Sequence, residues 1–475
     1  MAYRYGNRHQ TQMFPQSIED FVTADDPVRA YDAFVDSLDL ADLGVELDAN
    51  KVGNKEYDPS AMLKLLIYGY SYGLRSSRKL ERATYHNISF IWLMGGLKPD
   101  HKTVSDFRAD NKEALKNLLK QCARMCIKLD LIEGNTLFVD GSKIRANASI
   151  NQTWTEERCD KYLKKIDLRI ASILDECERE DSKDHGNPSL VKLKDELKNR
   201  NALKTKIEAV HKEIKEHKRR SLNATDSDCV KVKGRQGIHA GYNGQIVVDE
   251  KHGLIVQSDV VNESNDIKQF ANQIERAQEN LGIKCKNACG DAGYADTDEL
   301  KKIDDQNIRV IVPSKKQARD TPVQPFDKAR FQYDAGNDCY TCPQGYSLPY
   351  SSFCKEKQHR LYQIKTPSLC LACPHFNVCT KAKGGRRIRR LVNEETKLKL
   401  ESQYKKTECQ TIYKLRKEKV EHPFGHIKRN LGAGAFLLKG LAGVKAEMAL
   451  LTSCFNIARM ITILGVPKLM AELTG

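Results

Sequence analysis

Apolar positions recur at helical spacing in three stretches of this chain and gather into strand-like runs in the two intervals between them. From Tyr57 to about Asp130 the pattern is helical. Met62, Leu65, Leu66 and Tyr70 share one face after Pro59, Ser76 is the expected N-cap of a following helix, and a longer helix begins near Thr103. A short helix is expected over Pro27–Leu38, behind an extended arm. In the second stretch Tyr162, Ile166, Ile170, Ile173 and Cys177 line one helix face. Leu193, Leu197, Leu203, Ile207, Val210 and Ile214 line another after the break at 185–188. Two charged helices with such stripes predict an antiparallel hairpin, a structural insertion that also offers a dimerisation surface. Helices resume at about Asn393.

The strand signals lie between. Leu137 and Val139 run into Asp140, and Lys286–Cys289 runs into Gly290-Asp291. Gln245–Asp249 and Leu254–Val260 flank a Lys-His-Gly turn, and IRVIVPS is a buried-strand run. Strands followed by helices predict an α/β sheet of mixed direction.

Charge sharpens this picture. The 475 residues are 40% hydrophobic, enough for a sizeable core, and carry a formal net charge of +15. Such an excess attracts polyanions, above all the phosphates of nucleic acid. The short helices of 57–130, with Arg and Lys near their starts, are read as a DNA-binding domain of helix-turn-helix type, a plain helical bundle being the alternative. No run approaches the roughly 20 apolar residues of a membrane span, and the N-terminus lacks the apolar core of a secretion signal, so a cytoplasmic, nucleoid-associated location is expected.

Three carboxylates stand out. Asp140 follows TLFV at a strand end, Asp291 sits in CGDAGY, and Glu421 shares a helix face with Lys417, Phe424 and Lys428. Singly, each has an ordinary reading: a turn aspartate for the first two, a salt-bridged surface helix for the third. Asp226 and Asp228 in TDSDCVKVK are competing acidic candidates, ranked lower because they lie in a polar loop. Pro423 implies an irregular helix around Glu421.

Taken together, NTLFVDGSKIRANAS, NACGDAGYADTDEL and LRKEKVEHPFGHIKRNLG, with GYNGQIVVD and the pair Asn265-Asp266, resemble bacterial insertion-sequence transposases of the Asp-Asp-Glu (DDE) class. YGNRHQTQMFPQSIEDFV and YDPSAMLKLLIYGYSYGLRSSRKLE resemble the opening of that group, so the likeness covers nearly the whole chain. The resemblance implies an RNase H-like mixed sheet flanked by helices over 131–475, interrupted by the helical hairpin at 153–220 and a cysteine-rich insertion at 320–392. Residues 1–56 would be an arm with a short helix and 57–130 the DNA-binding domain. It also implies two Mg²⁺ (or Mn²⁺) ions on Asp140, Asp291 and Glu421, and double-stranded DNA, terminal inverted repeats and target alike, as partner. A homodimer or larger synaptic complex would join two ends. The family's Tyr-Arg-Glu-Lys signature holds for the Glu421 to Lys428 gap. Tyr413 and Arg416 fall one position early, and Lys417 occupies the expected Arg place. Lys428 is therefore the firmer phosphate contact, ahead of Arg416 and Lys417. A catalytically silent, domesticated DNA-binding descendant is the alternative function. An RNA-processing nuclease with the same metal site is a third.

Fifteen cysteines in a chain of this kind point to metal or buried thiols rather than disulfides. Cys339-x2-Cys342 and Cys370-x2-Cys373 have the spacing of a structural zinc ribbon, closed and architectural. Cys379 is a rival fourth ligand and Cys354 a weaker one. Arg386 and Arg387, in the basic stretch 383–390, are expected to touch phosphate. Trp154 is read as a buried cap on the hairpin insertion rather than a base-stacking residue.

Overall fold

The structure, a computed structural model, describes residues 17–45, 56–181, 188–234, 237–320, 322–356 and 358–474. The first sixteen residues of the expected arm and the break at 185–187 lie outside them; the rest of the arm holds a short helical turn at Ile18–Phe21 before the helix Pro27–Asp36. The chain forms two compact units. The first comprises 1–266, 275–284 and 418–475, and the second 267–274 and 285–417. The architecture is mixed α/β.

In the first unit the central pair is β1 (Thr136–Arg145) against β3 (Gly237–Asp249), antiparallel with Asp140 opposite Ile246 and Ser142 opposite Gly244. β2 (Val230–Gly234) and β4 (Ile255–Val261) both pair antiparallel with β3. Leu137, Phe138, Val139, Ile246, Val247 and Val248 are fully buried, the apolar run expected of a strand covered on both faces. The close fit has a cost in side-chain size: a Cβ on Gly241 would lie 2.6 Å from the Ile144 carbonyl oxygen.

The sheet rests on the helix Gly440–Leu464. This is the one described helix long and apolar enough to cross a membrane, yet 67% of its most apolar window is buried inside the protein. Its buried polar groups are satisfied. Asn456 exchanges hydrogen bonds with the Ile255 backbone at 2.9 and 2.7 Å, and Ser258 meets Thr452. The same helix holds the N-terminal helices. Glu447 accepts from the guanidinium of Arg75, both buried, and from the backbone of Leu437 and Leu438. Cys454 meets the Ile67 carbonyl and Cys126 meets Met460. The helices Pro59–Ser71, Ser77–His86, His101–Asp110 and Lys112–Lys128 therefore belong to the same compact unit as the sheet.

The hairpin insertion follows its apolar stripes. Helices Glu156–Asp181 and Pro188–Glu216 enclose Cys159, Ile166, Ile207 and Ile214, with Ile173 also buried. Arg169 pairs with Glu196, Lys204 with Asp167 and Lys215 with Glu156, fixing an antiparallel register; such exposed pairs each add little stability. Trp154 is buried at the hairpin base beside Leu222, with the Arg158 guanidinium 4.5 Å over its ring, so it caps the hairpin as expected. Tyr162 and Leu203 stay 40% and 39% exposed, because the stripes are wider than the two-helix seam.

In the second unit β5 (Asn287–Cys289) and β6 (Arg309–Ile311) run parallel, joined through the helix Thr297–Asp304. The cysteine-rich segment builds its own antiparallel sheet from β7 (Gln332–Asp334), β8 (Cys339–Thr341), β9 (Ser347–Cys354), β10 (His359–Gln363) and β11 (Arg387–Leu391), in that spatial order. Its core is aromatic: Phe331, Tyr340, Leu348, Tyr362, Ile364 and Ile388. Asp338 accepts from the hydroxyls of Tyr333 and Tyr362, which hold its carboxyl below the usual range.

Candidate active site

β1 alternates its side chains between two environments. Asp140 and Ser142 stand on one face, half-buried, and Gly141 and Lys143 on the other. On the second face Asp266 accepts from Asn243 and Gln245, each at 2.7 Å, and pairs with Lys143 at 3.2 Å. A Cβ on Gly141 would lie 2.5 Å from both the Asp266 carboxylate and the Gln245 amide, so only glycine lets this cluster close behind Asp140. The motif GYNGQIVVD and the Asn265-Asp266 pair thus meet at the back of the strand that carries Asp140.

The helix Thr407–Arg429 runs through Pro423 to bring Glu421 and Lys428 to the first face. The ring leaves the Lys419 carbonyl without its usual helical donor. Lys428 Nζ donates to Ser142 Oγ at 2.6 Å and to the Lys143 carbonyl at 3.0 Å, tying the helix end to β1. The return of the chain strengthens the tie: Phe436 donates its N–H to the Arg145 carbonyl at 2.9 Å.

These elements wall a cleft of about 980 Å³ that contains Asp140 and Glu421 together. Around the two carboxylates stand Lys143, Arg145, Lys233, His239, Lys428 and Arg429. Two acids set among cations suit a divalent ion beside a phosphodiester: carboxylate oxygens are the hard donors Mg²⁺ prefers, and the cations receive phosphate oxygens. His422 and His426 also line the cleft and meet the Phe455 ring edge-on, with centroids 5.6 and 5.5 Å away. Burial lowers the pKa of both, with Arg459 adding to it at His422 and His422 at His426, so they favour the neutral, proton-accepting form. Sequence reasoning passed over these histidines, although EHPFGH places them beside Glu421.

Asp291 belongs to the second unit, at the end of β5, where it caps the turn Ala292–Tyr294 by accepting the Gly293 N–H at 2.8 Å. Arg416 lies in the same unit, its guanidinium 5.8 Å from the Tyr413 ring. Burial raises the Tyr413 pKa, a rise that Arg416 opposes and the charge of Asp291 increases. Lys417 is exposed. Among the described residues no three or more His, Cys, Asp or Glu side chains are assembled as a metal centre.

The competing acids have structural work. Asp226 accepts from Tyr242 at 2.7 Å and from the Gly440 N–H, and Asp228 accepts from the Leu441 N–H at 2.8 Å, so both hold the start of the long core helix. In the cysteine-rich sheet, Cys342, Cys370, Cys373 and Cys379 line one cavity, whereas Cys339 sits in β8 opposite Pro349 and Asp334 and is not part of that lining. Arg386 turns inward, donating to the carbonyls of Cys379 and Phe326 at 2.7 and 2.9 Å; Arg387 is exposed.

Residues 16–110 match the family described as Transposase domain (DUF772), and residues 341–461 match Transposase DDE domain. A cryo-EM structure of the piggyBac transposase synaptic complex with hairpin DNA aligns with 94% of this chain and 79% of its own, at 10% identity and a TM-score of 0.33. A comparison with curated proteins gave no match.

Proposed function

We propose that this chain, which matches a transposase domain over residues 16–110 and a transposase DDE domain over residues 341–461, is a DDE-type transposase that binds the terminal inverted repeats of its own insertion sequence, cuts there and joins the freed end to target DNA. The observation that carries this reading is the shared cleft. Asp140 and Glu421, far apart in sequence, face one basic-walled space. An RNase H-like sheet is the fold we infer for this core, supported by β1 pairing antiparallel with β3 and ending its apolar run at Asp140.

Asp140, Glu421 and, from the second unit, Asp291 are the proposed ligands of Mg²⁺ or Mn²⁺. The cleft fits such an ion by donor chemistry, two oxygen ligands open to solvent and flanked by phosphate-binding cations. When bound, divalent ions activate the attacking water or 3′-hydroxyl and stabilise the leaving oxygen. The chain's own residues do the rest. Lys233 and Lys428 hold the phosphodiester against the carboxylates. Lys428, anchored on Ser142, keeps Glu421 and Asp140 on one wall. Neutral His422 and His426 are placed to accept a proton at the cleft edge. Arg387, Lys417 and Arg416 are proposed DNA contacts outside the cleft, and the partner is double-stranded DNA. Arg386, whose guanidinium is spent on two carbonyls, supports Arg387 rather than contacting phosphate itself. Two ends have to meet, so the working form is proposed to be a dimer or larger, acting on the bacterial nucleoid.

The test is a labelled duplex carrying the inverted repeat that brackets the coding region, incubated with the full chain and a supercoiled target. Nicks at the repeat boundary and label joined to target, both dependent on Mg²⁺ or Mn²⁺, are expected. Binding of the repeat without metal-dependent cutting would replace this reading with that of a DNA-binding descendant.

A further inference from the structure

The cysteine-rich sheet carries a second site, independent of the catalytic reading. We propose that Cys342, Cys370, Cys373 and Cys379 bind one Zn²⁺ as a tetrathiolate that fastens the ends of this sheet, with Cys339 outside the ligand set. Spacing alone pairs Cys339 with Cys342, but the fold separates them. Cys339 and Thr341 share one face of β8, with Tyr340 in the aromatic core between them. Cys342 lies past the strand end, at the cavity.

Three local structures turn their sulfurs toward that cavity. After Cys342 the chain folds back through Pro343-Gln344-Gly345: Gly345, at φ +81°, donates its N–H to the Cys342 carbonyl at 2.8 Å. The next N–H, of Tyr346, donates to Cys342 Sγ at 3.3 Å. The helix Pro367–Leu371 delivers Cys370, and a turn with Cys373 N–H on the Cys370 carbonyl delivers Cys373. A second turn, with the Cys379 N–H on the His375 carbonyl at 2.8 Å, delivers Cys379. Against Cys370 lies the loop at Gly385, φ +79°, where a Cβ would be 3.4 Å from the sulfur and 2.4 Å from Ile364 Cγ2. The Arg386 N–H then donates to Cys370 Sγ at 3.5 Å.

Backbone N–H groups aimed at sulfur are contacts of the kind that orient a metal-bound sulfur. The cavity also has a reserve of positive charge. Arg386 lines it, and its buried Nε–H has no acceptor among the described residues. Four ionised sulfurs so placed repel unless a cation sits among them. They ring the cavity without converging to an assembled centre, so binding draws them in to Zn–S bonds of about 2.3 Å. The balance is one Zn²⁺ gained and four thiol protons released to solvent, giving a site of net charge −2 beside Arg386.

The full chain, expressed and purified with and without Co²⁺ replacing Zn²⁺, tests the assignment by metal content and absorption. Wild type and Cys339→Ser are expected to hold one metal per chain with the spectrum of a tetrathiolate. Cys379→Ser is expected to bind Co²⁺ at least about a hundredfold more weakly. Should Cys379→Ser fail to fold, Cys379→His decides: it should retain one Co²⁺ with the spectrum moved to three sulfurs and one nitrogen. Retention of a tetrathiolate spectrum in either Cys379 variant, its loss in Cys339→Ser, or wild type that takes up no metal would overturn the proposal.

Discussion

Asp140→Ala is expected to lower Mg²⁺-dependent cleavage at the element's end by at least about a thousandfold while leaving duplex binding within about threefold of wild type. Asp140 ends the buried run Leu137–Val139 and faces the cleft shared with Glu421. Removing a ligand that holds a cation against the reacting phosphate forfeits several kcal/mol of transition-state stabilisation, and about 4 kcal/mol is a thousandfold in rate. Binding should survive because the cations proposed to hold phosphate, Lys233 and Lys428, remain, and the smaller side chain meets no new obstacle. Single-turnover cleavage and gel-shift binding with the same labelled duplex separate the two effects. Cleavage retained within tenfold would remove Asp140 from the reaction.

The second large effect is on stability. Glu447 is 1% exposed and Arg75 6% exposed, and they meet inside the first unit. Glu447→Ala leaves a guanidinium in the core without its counter-ion and strips the acceptor from the N–H groups of Leu437 and Leu438. Breaking a buried pair from one side costs about 3–5 kcal/mol. The Arg75 guanidinium also donates to the carbonyls of Gly432 and Ala435, in the segment that returns from Lys428 to pair beside Arg145. The variant should therefore lose end cleavage along with stability. Urea unfolding followed by tryptophan fluorescence and far-UV dichroism measures the loss; a change below about 1 kcal/mol would mean that the pair does not hold the cleft wall in place.

Local pattern made much of this legible. The stripes over Ile166–Ile173 and Ile207–Ile214 predicted the hairpin, since contacts between neighbouring helices write themselves into a 3.6-residue period. The apolar runs that stop at Asp140 and before Asp291 were legible, but only the second marks a strand end: β1 continues through Asp140 to Arg145 because its backbone keeps pairing with β3 as far as Gly241. Other features depend on long-range contacts that no spacing encodes. Arg75 reads as a helix-start cation until Glu447 is placed against it. Asp226 and Asp228 read as loop acids until they cap a helix that begins at Gly440. Arg386 reads as a phosphate contact in a basic run until Cys379 and Phe326 present their carbonyls to it. Cys339 has the right spacing from Cys342, but the strand between them, with Tyr340 in the core, carries Cys339 away from the cavity. His422 and His426 were missed because an i, i+4 histidine pair carries no meaning until Phe455 and the cleft are in place.

The central claim is that Asp140, Asp291 and Glu421 bind the catalytic metal. Each carboxylate changed singly to cysteine, assayed for end cleavage in Mg²⁺ and in Mn²⁺, tests it most directly. A thiolate is a poor ligand for Mg²⁺ and a better one for Mn²⁺. All three variants should be inactive in Mg²⁺ and regain cleavage in Mn²⁺ by at least about tenfold. A variant of the three that still cuts in Mg²⁺, or a set that Mn²⁺ does not restore, would contradict the account.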